Sequence, residues 1–231
     1  MKDEVGSAAR GSGKAFWEAQ AANYDRSLSL LGRPIPRMLD LVKEAVRGAG
    51  RVLEVAAGTG LVTIAVASEV QELIATDYAS SMVKRLQSRL SEMGLANVVT
   101  QEADIYALKF PDACFDAVVA ANVLHLVPHL DGALAALRRV LKPGGLLIAP
   151  TFCHDETKLA GLVSRALGLA GFPGHRRFTA ASLTAALRQH HLTLTRAETI
   201  PGVIPIGYVQ GAFSRAAAGS SSPQIVFTAS R

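Results

Sequence analysis

Short apolar runs and helix-like repeats alternate through the middle of the chain. The apolar runs cover residues 51–56, 73–77, 97–101, 115–121 and 145–150, and each is continuous rather than alternating with polar positions. Continuous runs of this length are typical of strands in a parallel sheet that is covered on both faces. Between them, apolar positions recur at helical spacing in residues 60–69, 79–93 and 130–141.

The segments on either side of this core extend the pattern. Helices are predicted within residues 15–29 and over 35–47 ahead of it, and over 158–170 and 179–190 behind it. Strands are predicted at 192–199 and 204–213, where they are expected to pair as a hairpin at a sheet edge. The predicted fold is therefore α/β and doubly wound, with a mostly parallel seven-stranded sheet, helices on both faces and an antiparallel C-terminal hairpin strand.

These elements predict one domain with short flanking segments. Residues 1–13 are rich in small and charged side chains and are expected to be a disordered leader. A single domain is expected over 14–213 and a tail over 214–231. Within the domain we expect N-terminal helices at 14–50, a cofactor-binding core at 51–150, acceptor-covering helices at 151–190 and the last two strands at 191–213.

Composition narrows the classes of protein that this chain can be. With 231 residues, of which 49% are hydrophobic, the chain is long enough for one well-buried domain and short for two. The net charge of +5 is spread along the chain, which disfavours a nucleic-acid partner. No run approaches the ~18 apolar residues of a membrane span, and residues 1–13 lack the apolar core of a signal peptide. A cytoplasmic setting without an integral membrane span is therefore expected.

Neither the cysteines nor the histidines form a metal-binding pattern. Cys114 and Cys153 lie in or beside apolar segments without CxxC spacing, which indicates buried thiols. The histidines of the C-terminal half show no consistent ligand spacing: His154, His175, His190 and His191. No metal site is expected.

The most informative segment is the first predicted strand and the glycine turn after it, Arg51 to Gly60. Gly58 and Gly60 allow unusual backbone angles and close approach of a ligand, and the free N–H groups of the following helix attract an anionic or carboxylate-bearing group. Asp77 follows at the spacing of one strand-helix-strand unit, where its carboxylate can accept hydrogen bonds from ribose hydroxyls. Together these features predict a site for a small charged ligand that carries a ribose.

Four motifs occur in a characteristic order between residues 16 and 213. They are Phe16-Trp17 with Ala22 to Asp25, Glu54 to Gly60, Asp77, and Cys114 to His125 leading to Leu137 to Gly145. In this order they resemble the class I, seven-stranded and Rossmann-like, S-adenosylmethionine-dependent methyltransferases, in particular the small-molecule branch that contains ubiquinone and menaquinone biosynthesis methyltransferases.

The resemblance implies a role for each matched position in binding S-adenosylmethionine. Gly58 and Gly60 would let the methionine part lie against the turn, and Glu54 would support its amino group. Ala56 stands where the family usually has glycine, so its methyl group narrows the clearance between backbone and cofactor. Further contacts are implied for Asp77 with the ribose, Tyr78 and Met82 with adenine, Asp104 and Ile105 with the adenine edge, Asn122 with the methionine and sulfonium, and Tyr24 with the methionine carboxylate.

His125 is the candidate catalytic residue. It follows the fourth predicted strand, where the methyl-accepting atom should lie, and an imidazole that titrates near neutrality could take a proton from a phenol or enol. A purely structural role stays open. A sulfonium is already a strong electrophile, and holding an acceptor in line with the methyl group can supply most of the acceleration, with effective molarities of ~10⁵ M or more.

Residues 158–172 are expected to cover the acceptor, since insertions after the fifth strand lie near the carboxyl ends of the strands. The apolar positions of this segment leave three interpretations open: contact with a hydrophobic or aromatic acceptor, ordinary core packing, or a helix on a membrane surface. These positions are Leu159, Leu162, Val163, Leu167 and Leu169.

The sequence thus predicts an enzyme that methylates a small, apolar or aromatic molecule by direct displacement from S-adenosylmethionine. Two alternatives stay open. A nicotinamide-dependent oxidoreductase would need a third glycine where Thr63 stands. A cofactor-binding partner protein without catalysis would keep the same glycine turn and Asp77. The sequence indicates no oligomeric state.

Overall fold

The computed structural model describes residues 14–20, 34–169 and 171–214. Residues 14–20 are helical, in agreement with the helix predicted within 15–29. The predicted leader, Tyr24 and the tail beyond residue 214 lie outside the described residues. No helix in the described ranges has the length and hydrophobicity needed to cross a membrane.

Strands and helices alternate from residue 34 onward. The helices are α1 (Pro34–Val46), α2 (Leu61–Val66), α3 (Ser80–Met93), α4 (Leu130–Val140), α5 (Lys158–Leu169) and α6 (Ala180–Gln189). The strands are β1 (Arg51–Val55), β2 (Glu72–Asp77), β3 (Val98–Glu102), β4 (Phe115–Val119), β5 (Leu141–Ile148), β6 (Thr151–Phe152), β7 (Leu192–Ile200) and β8 (Ile206–Phe213). A short 3-10 helix at Ala67–Glu69 follows α2 and completes the helix predicted over 60–69.

The sheet is parallel on one side and antiparallel on the other. Strands β3, β2, β1, β4 and β5 lie side by side in that order and run parallel. Strand β8 pairs antiparallel with β5 on one side and with β7 on the other. The predicted α/β class, parallel core and antiparallel C-terminal hairpin are confirmed.

The short strand β6 continues β5 after an interruption at Ala149 and Pro150. Ile148 lies opposite Gln210 and Thr151 opposite Gly207, so both segments pair with β8 in one register. Pro150 has no N–H group to donate, which explains why the ladder is interrupted there. Counted as one strand, β5 and β6 give the seven strands predicted.

The end of α4 differs in detail from the prediction. The helix ends at Val140, and β5 begins at once at Leu141, opposite Phe115. Residues 142–145, which connect the predicted helix to the predicted strand, form a bulge within β5, since the next paired residue is Leu146 opposite Ala117. Gly144, at φ 80, supplies the left-handed backbone that the bulge needs.

Two hydrophobic clusters cover the two faces of the sheet. One joins the sheet to α4 and α6 through residues such as Leu134 and Leu183, and the other joins it to α1 and α2 through Met38 and Val62. In β4, Val118 belongs to the first cluster, whereas its neighbours Ala117 and Val119 belong to the second. Successive side chains of a strand point to opposite faces, so a strand buried on both faces must be apolar throughout.

The apolar positions of helix α5 do not all have the same surroundings, which bears on the three interpretations of this segment. Val163 and Leu167 pack against the core cluster beside α1 and α2, as core packing requires. Leu159, Leu162 and Leu169 are instead exposed, so core packing is wrong for these three residues. The buried positions of the helix are the small residues Ala160 and Ser164.

Candidate cofactor and acceptor site

A pocket opens at the carboxyl ends of β1 to β4 and encloses about 1000 Å³ of empty space, its mouth included. Crevices in this position are where open α/β sheets bind ligands. The described residues of the predicted cofactor site that line it are Ala56, Gly58, Asp77, Tyr78, Met82, Asp104, Ile105 and Asn122. Glu54, Gly60 and His125 do not line the pocket, and Tyr24 lies outside the described residues.

The glycine turn is held by the next strand. The Ala57 amide donates to the Thr76 carbonyl at 2.9 Å, and the Gly58 amide donates to Oδ2 of Asp77 at 2.8 Å. Ala56 and Gly58 adopt positive φ angles of 54° and 56° and present their backbone to the pocket. The turn therefore offers backbone at close range to a ligand, and its shape depends on Asp77.

Gly60 serves the packing of the turn rather than the pocket wall. Its φ of 93° is in the left-handed region, and a Cβ atom there would lie 2.2 Å from Cδ1 of Leu86 on α3. No real Cβ contact is that short, so a side chain at this position would displace the Leu86 side chain and would be strained at this φ. The predicted contact of Gly60 with the cofactor stays a prediction.

Asp77 is the central polar group of the pocket. Its side chain is buried, with Oδ2 accepting from Gly58 N–H and Oδ1 from Ala79 N–H at 2.9 Å. Burial raises the pKa of this carboxyl, and the backbone N–H donors oppose that shift. Because a carboxylate has about four acceptor positions, roughly two remain for a pair of ligand hydroxyls.

Glu54 lies behind the turn. The Thr63 hydroxyl donates to its Oε2 at 2.6 Å, and the residue is 2% exposed. Burial raises the pKa of Glu54 to about 8, with the negative charge of Asp77 adding to the shift. Glu54 is therefore largely protonated at neutral pH, and its predicted contact with a cofactor amino group stays a prediction.

Asn122 supplies a polar atom at the opposite wall. Its backbone lies at φ 53, and its amide N–H donates to the Pro150 carbonyl at 2.7 Å. The side-chain Oδ1 is buried and has no hydrogen-bond partner among the described residues. Since buried polar atoms are nearly always paired, this oxygen is suited to a donor from a bound ligand.

The helical segment 14–20 closes one side of the pocket, although the sequence motif that contains Phe16 and Trp17 gave neither residue a predicted contact there. Lys14 and Trp17 line the pocket, and the Lys14 ammonium lies 2.5 Å from Glu102. Glu18 accepts from the backbone N–H groups of Ser80 at 2.7 Å and Ser81 at 2.9 Å, which begin α3. The hydrogen bond with the Ser81 side chain, followed by those from the backbone N–H groups of Ser81 and Ser80, lowers the pKa of Glu18 to about 2.

Glu18 therefore caps a helix from a distance of about sixty positions along the chain. The residue before α3, Ala79, provides no side-chain cap of its own. That missing local cap was the one signal in the sequence that a remote acceptor was needed, and it did not identify which acceptor.

His125 forms a buried pair with His154. Their ring centroids are 5.0 Å apart, and the two residues are 1% and 4% exposed. Nδ1 of His125 and both ring nitrogens of His154 are buried without a partner among the described residues. Burial, and secondarily His154, lowers the pKa of His125 to about 3, and burial also lowers that of His154. Both rings are therefore neutral near pH 7.

Phe172 connects this histidine pair to the pocket. Its ring stacks on His125 at 6.2 Å between centroids with 13° between planes, and it meets the pocket residue Trp17 edge-on at 5.9 Å. The next residue, Pro173, lines the pocket. Sequence analysis considered His154 only as a metal ligand, and no group of side chains suited to hold a metal ion occurs in the described ranges.

The middle of the chain matches a known family. Residues 52–145 match the family described as a methyltransferase domain. The ubiquinone/menaquinone biosynthesis C-methyltransferase UbiE of Azotobacter vinelandii is 35% identical over 160 residues, which cover 66% of this chain and 63% of that protein. The chain thus spans less than two thirds of the length of this relative.

Solved structures share the fold. The structure of DhpI in complex with SAH superposes with a TM-score of 0.69 at 21% identity, over 89% of this chain and 98% of that one. The [4+2]-cyclase SpnF superposes with a TM-score of 0.60 at 26% identity, over 71% of this chain and 59% of that one. The second protein is named for a cyclisation, so the fold by itself does not define the reaction.

Proposed function

Since this chain carries the domain of a class I S-adenosylmethionine-dependent methyltransferase similar to UbiE, we propose that it transfers the methyl group of that cofactor to a small, apolar or aromatic acceptor. The observation that carries the proposal is the arrangement of Asp77 and Gly58. A buried carboxylate with free acceptor positions lies against a backbone turn that a ligand can approach closely.

The residues of the pocket fit the cofactor in their chemistry. Asp77 would receive the ribose hydroxyls, and the turn at Ala56 and Gly58 would receive the methionine part. Tyr78 and Met82 would contact the adenine face, and the unpaired Oδ1 of Asn122 would accept from the amino group.

The bound cofactor supplies an electrophilic methyl group on a sulfonium, so the protein has to position an acceptor and keep water away. The wall beyond Asn122 is suited to this, because it is formed largely by Val123, Leu126, Val127 and Pro173. An apolar wall excludes water and holds an apolar or aromatic acceptor in line with the transferred group. The reaction proposed is a direct displacement.

We further propose that the neutral pair of His125 and His154 hydrogen-bonds a polar atom of the acceptor. The unpaired ring nitrogens support this role, and the low pKa of His125 makes it a weak base. Because Phe172 stacks over His125, an acceptor reaches the pair only when this ring moves. His125→Phe should then lower kcat/KM for the acceptor at least tenfold and leave the dissociation constant of S-adenosylhomocysteine unchanged.

The alternative of a nicotinamide-dependent oxidoreductase is disfavoured by the position of Thr63. Thr63, where a third glycine would be needed, donates its hydroxyl to Glu54 inside the fold. The alternative of a cofactor-binding partner protein without catalysis predicts the same pocket and differs only in turnover. An activity measurement is therefore needed to distinguish it from a methyltransferase.

Calorimetry and a labelled-methyl assay test the proposal. We expect S-adenosylhomocysteine to bind and NAD not to bind, and methyl transfer to at least one member of an acceptor panel that includes phenols and hydroquinones. Asp77→Asn should weaken S-adenosylhomocysteine binding at least tenfold, whereas Asp131→Asn, with a side chain 90% exposed on α4, should not. Cofactor binding without transfer to any acceptor would favour the partner protein without catalysis, and no heat with S-adenosylhomocysteine would refute the proposal.

A further inference from the structure

Helix α5 exposes a row of leucines. Leu159, Leu162 and Leu169 are 57%, 65% and 93% exposed, whereas Ala160 is fully buried and Ser164 is 9% exposed. Positions 159, 162 and 169 lie within one third of the helix circumference. Three of the four leucines of the helix therefore face the outside, whereas Val163 and Leu167 pack against the core; an ordinary surface helix directs its apolar residues inward.

Two cations share this face. Lys158 and Arg165 are exposed and lie beside the leucine row on the helix circumference, and α5 contains no acidic residue. Asp155 and Glu156 precede the helix, and Glu156 is engaged by the Ala180 amide, which donates to its Oε2 at 2.6 Å. The exposed face of α5 is thus apolar and positively charged.

We propose that this face binds the surface of an anionic phospholipid bilayer. Leucines of an amphipathic helix can enter the boundary between headgroups and acyl chains, while Lys and Arg stems lie beside them and carry their charges to the lipid phosphates. A second copy of the chain fits less well. Three leucines are far short of the ~800 Å² that each partner contributes to a standard interface, and lysine is depleted from interfaces.

Helix α5 is connected directly to residues that line the pocket, which places the proposed membrane contact near the pocket. The Phe172 amide donates to the Leu167 carbonyl at 3.0 Å, so the chain turns directly from α5 into residues 172–175. Pro173 and His175 of that segment line the pocket. A bilayer on the outer face of α5 would therefore lie beside the pocket. The membrane contact itself does not depend on methyl transfer.

Vesicle co-sedimentation of the full chain tests the inference. We expect binding to vesicles of phosphatidylcholine mixed with phosphatidylglycerol, and little to phosphatidylcholine alone. The double variant Leu159→Ser/Leu162→Ser should bind the mixed vesicles at least tenfold more weakly, and Lys158→Gln/Arg165→Gln should lose most of the preference for the anionic lipid. Val99→Ser is the matched control, since Val99 is 52% exposed on the edge strand β3, away from α5.

Three measurements separate the outcomes. S-adenosylhomocysteine affinity and the melting temperature should be unchanged in the leucine variant, which establishes that it is folded with an intact pocket. Equal binding of the native chain and the folded leucine variant, or no binding of the native chain, would overturn the inference. Light scattering that shows a dimer dissociated by the leucine substitutions would overturn it as well, in favour of an interface between copies.

Discussion

Ala56 carries backbone strain at a position where the family that the sequence resembles usually has glycine. Its φ of 54° costs an L-residue roughly 1–2 kcal/mol, and its exposed methyl group faces the pocket. We expect Ala56→Gly to bind S-adenosylhomocysteine a few-fold more tightly, because the methyl group no longer limits the approach to the backbone. The melting temperature should change little, since glycine has more freedom to lose on folding, ~0.4–1 kcal/mol.

The chain offers a matched control for this substitution. Ala113 has a φ of 52° and does not line the pocket. Ala113→Gly should therefore reproduce the small effect on melting temperature without any change in affinity measured by calorimetry. Equal affinities of the native chain and Ala56→Gly would show that the methyl group does not obstruct the ligand.

Glu54 makes the stability of the fold depend on pH. Its pKa is raised from 4.5 to about 8, so its contribution is fully present below pH 4.5 and is lost as the pH rises through about 8. Glu54→Gln mimics the protonated form at every pH. We expect urea unfolding to show a stability advantage of the glutamine variant that is under ~1 kcal/mol at pH 5 and reaches ~4 kcal/mol near pH 8, since one pKa unit corresponds to about 1.36 kcal/mol.

A control for Glu54 is Glu72→Gln on β2, whose side chain is 45% exposed. This variant should follow the native chain across the whole pH range. A Glu54→Gln difference that does not grow with pH would mean that Glu54 is ionised in the native protein.

Single residues were predictable where one local motif defines them. Asp77 and Gly58 occur at a fixed spacing in a strand-turn-helix unit, and they hydrogen-bond each other as that spacing suggests. Glu18 and His154 were not assigned these roles, because their partners lie far away in the chain and only the folded backbone brings them together. The side to which Glu54 points also depends on packing that a motif does not encode.

At the scale of elements, the helical segment 14–20 acts as a strap across the pocket. Glu18 attaches it to the start of α3, and Lys14 and Trp17 lie over the pocket. We expect Glu18→Gln to weaken S-adenosylhomocysteine binding several-fold in calorimetry, because the neutral amide accepts more weakly from the helix amides. The pKa of Glu18 is about 2, so its contribution is lost only as the pH falls through that value from 4.5.

The difference between Glu18→Gln and the native chain should therefore be constant from pH 5 to pH 8. Glu92→Gln, which alters an exposed residue at the other end of α3, is the control and should leave the affinity unchanged. An equal loss of affinity in both variants would show that the effect comes from α3 itself rather than from the strap.

Elements of the core were easier to predict than elements at its margin. Strands buried on both faces have one arrangement that hides their apolar side chains, so β1, β2 and β4 lie where the apolar runs predicted. The apolar residues of helix α5 also recur at helical spacing, but this spacing defines an apolar face of the helix without indicating what packs against that face. Ala160 and Ser164 are the buried positions of α5 and Val163 and Leu167 pack against the core, so Leu159, Leu162 and Leu169 are left on the outer face.

At the scale of the whole molecule, ligand binding should raise the melting temperature. A ligand at 100 times its dissociation constant stabilises a native protein by ~2.7 kcal/mol. At 2–4 °C per kcal/mol for a chain of this size, S-adenosylhomocysteine should raise the melting temperature by ~5–10 °C. NAD should leave it unchanged, and Asp77→Asn should show little response to either compound. A comparable shift with NAD would point to a different cofactor.

The overall topology followed from the order of elements. Parallel strands joined by helices have few allowed arrangements, and a closing hairpin can pair only at a free edge. The interruption between β5 and β6 was not predicted as a break in pairing, although Pro150 marks its place in the sequence.

That interruption has a consequence for how the protein could acquire new substrates. The Pro150 carbonyl, released from the ladder, anchors Asn122, so the cofactor half of the pocket is built into the sheet itself. The other half is contributed by residues 172–175, which follow a helix that only partly packs against the core. Evolution or design could therefore exchange the segment from α5 to Pro173 as a module and change what the pocket binds, while leaving intact the half of the pocket that is built on the sheet.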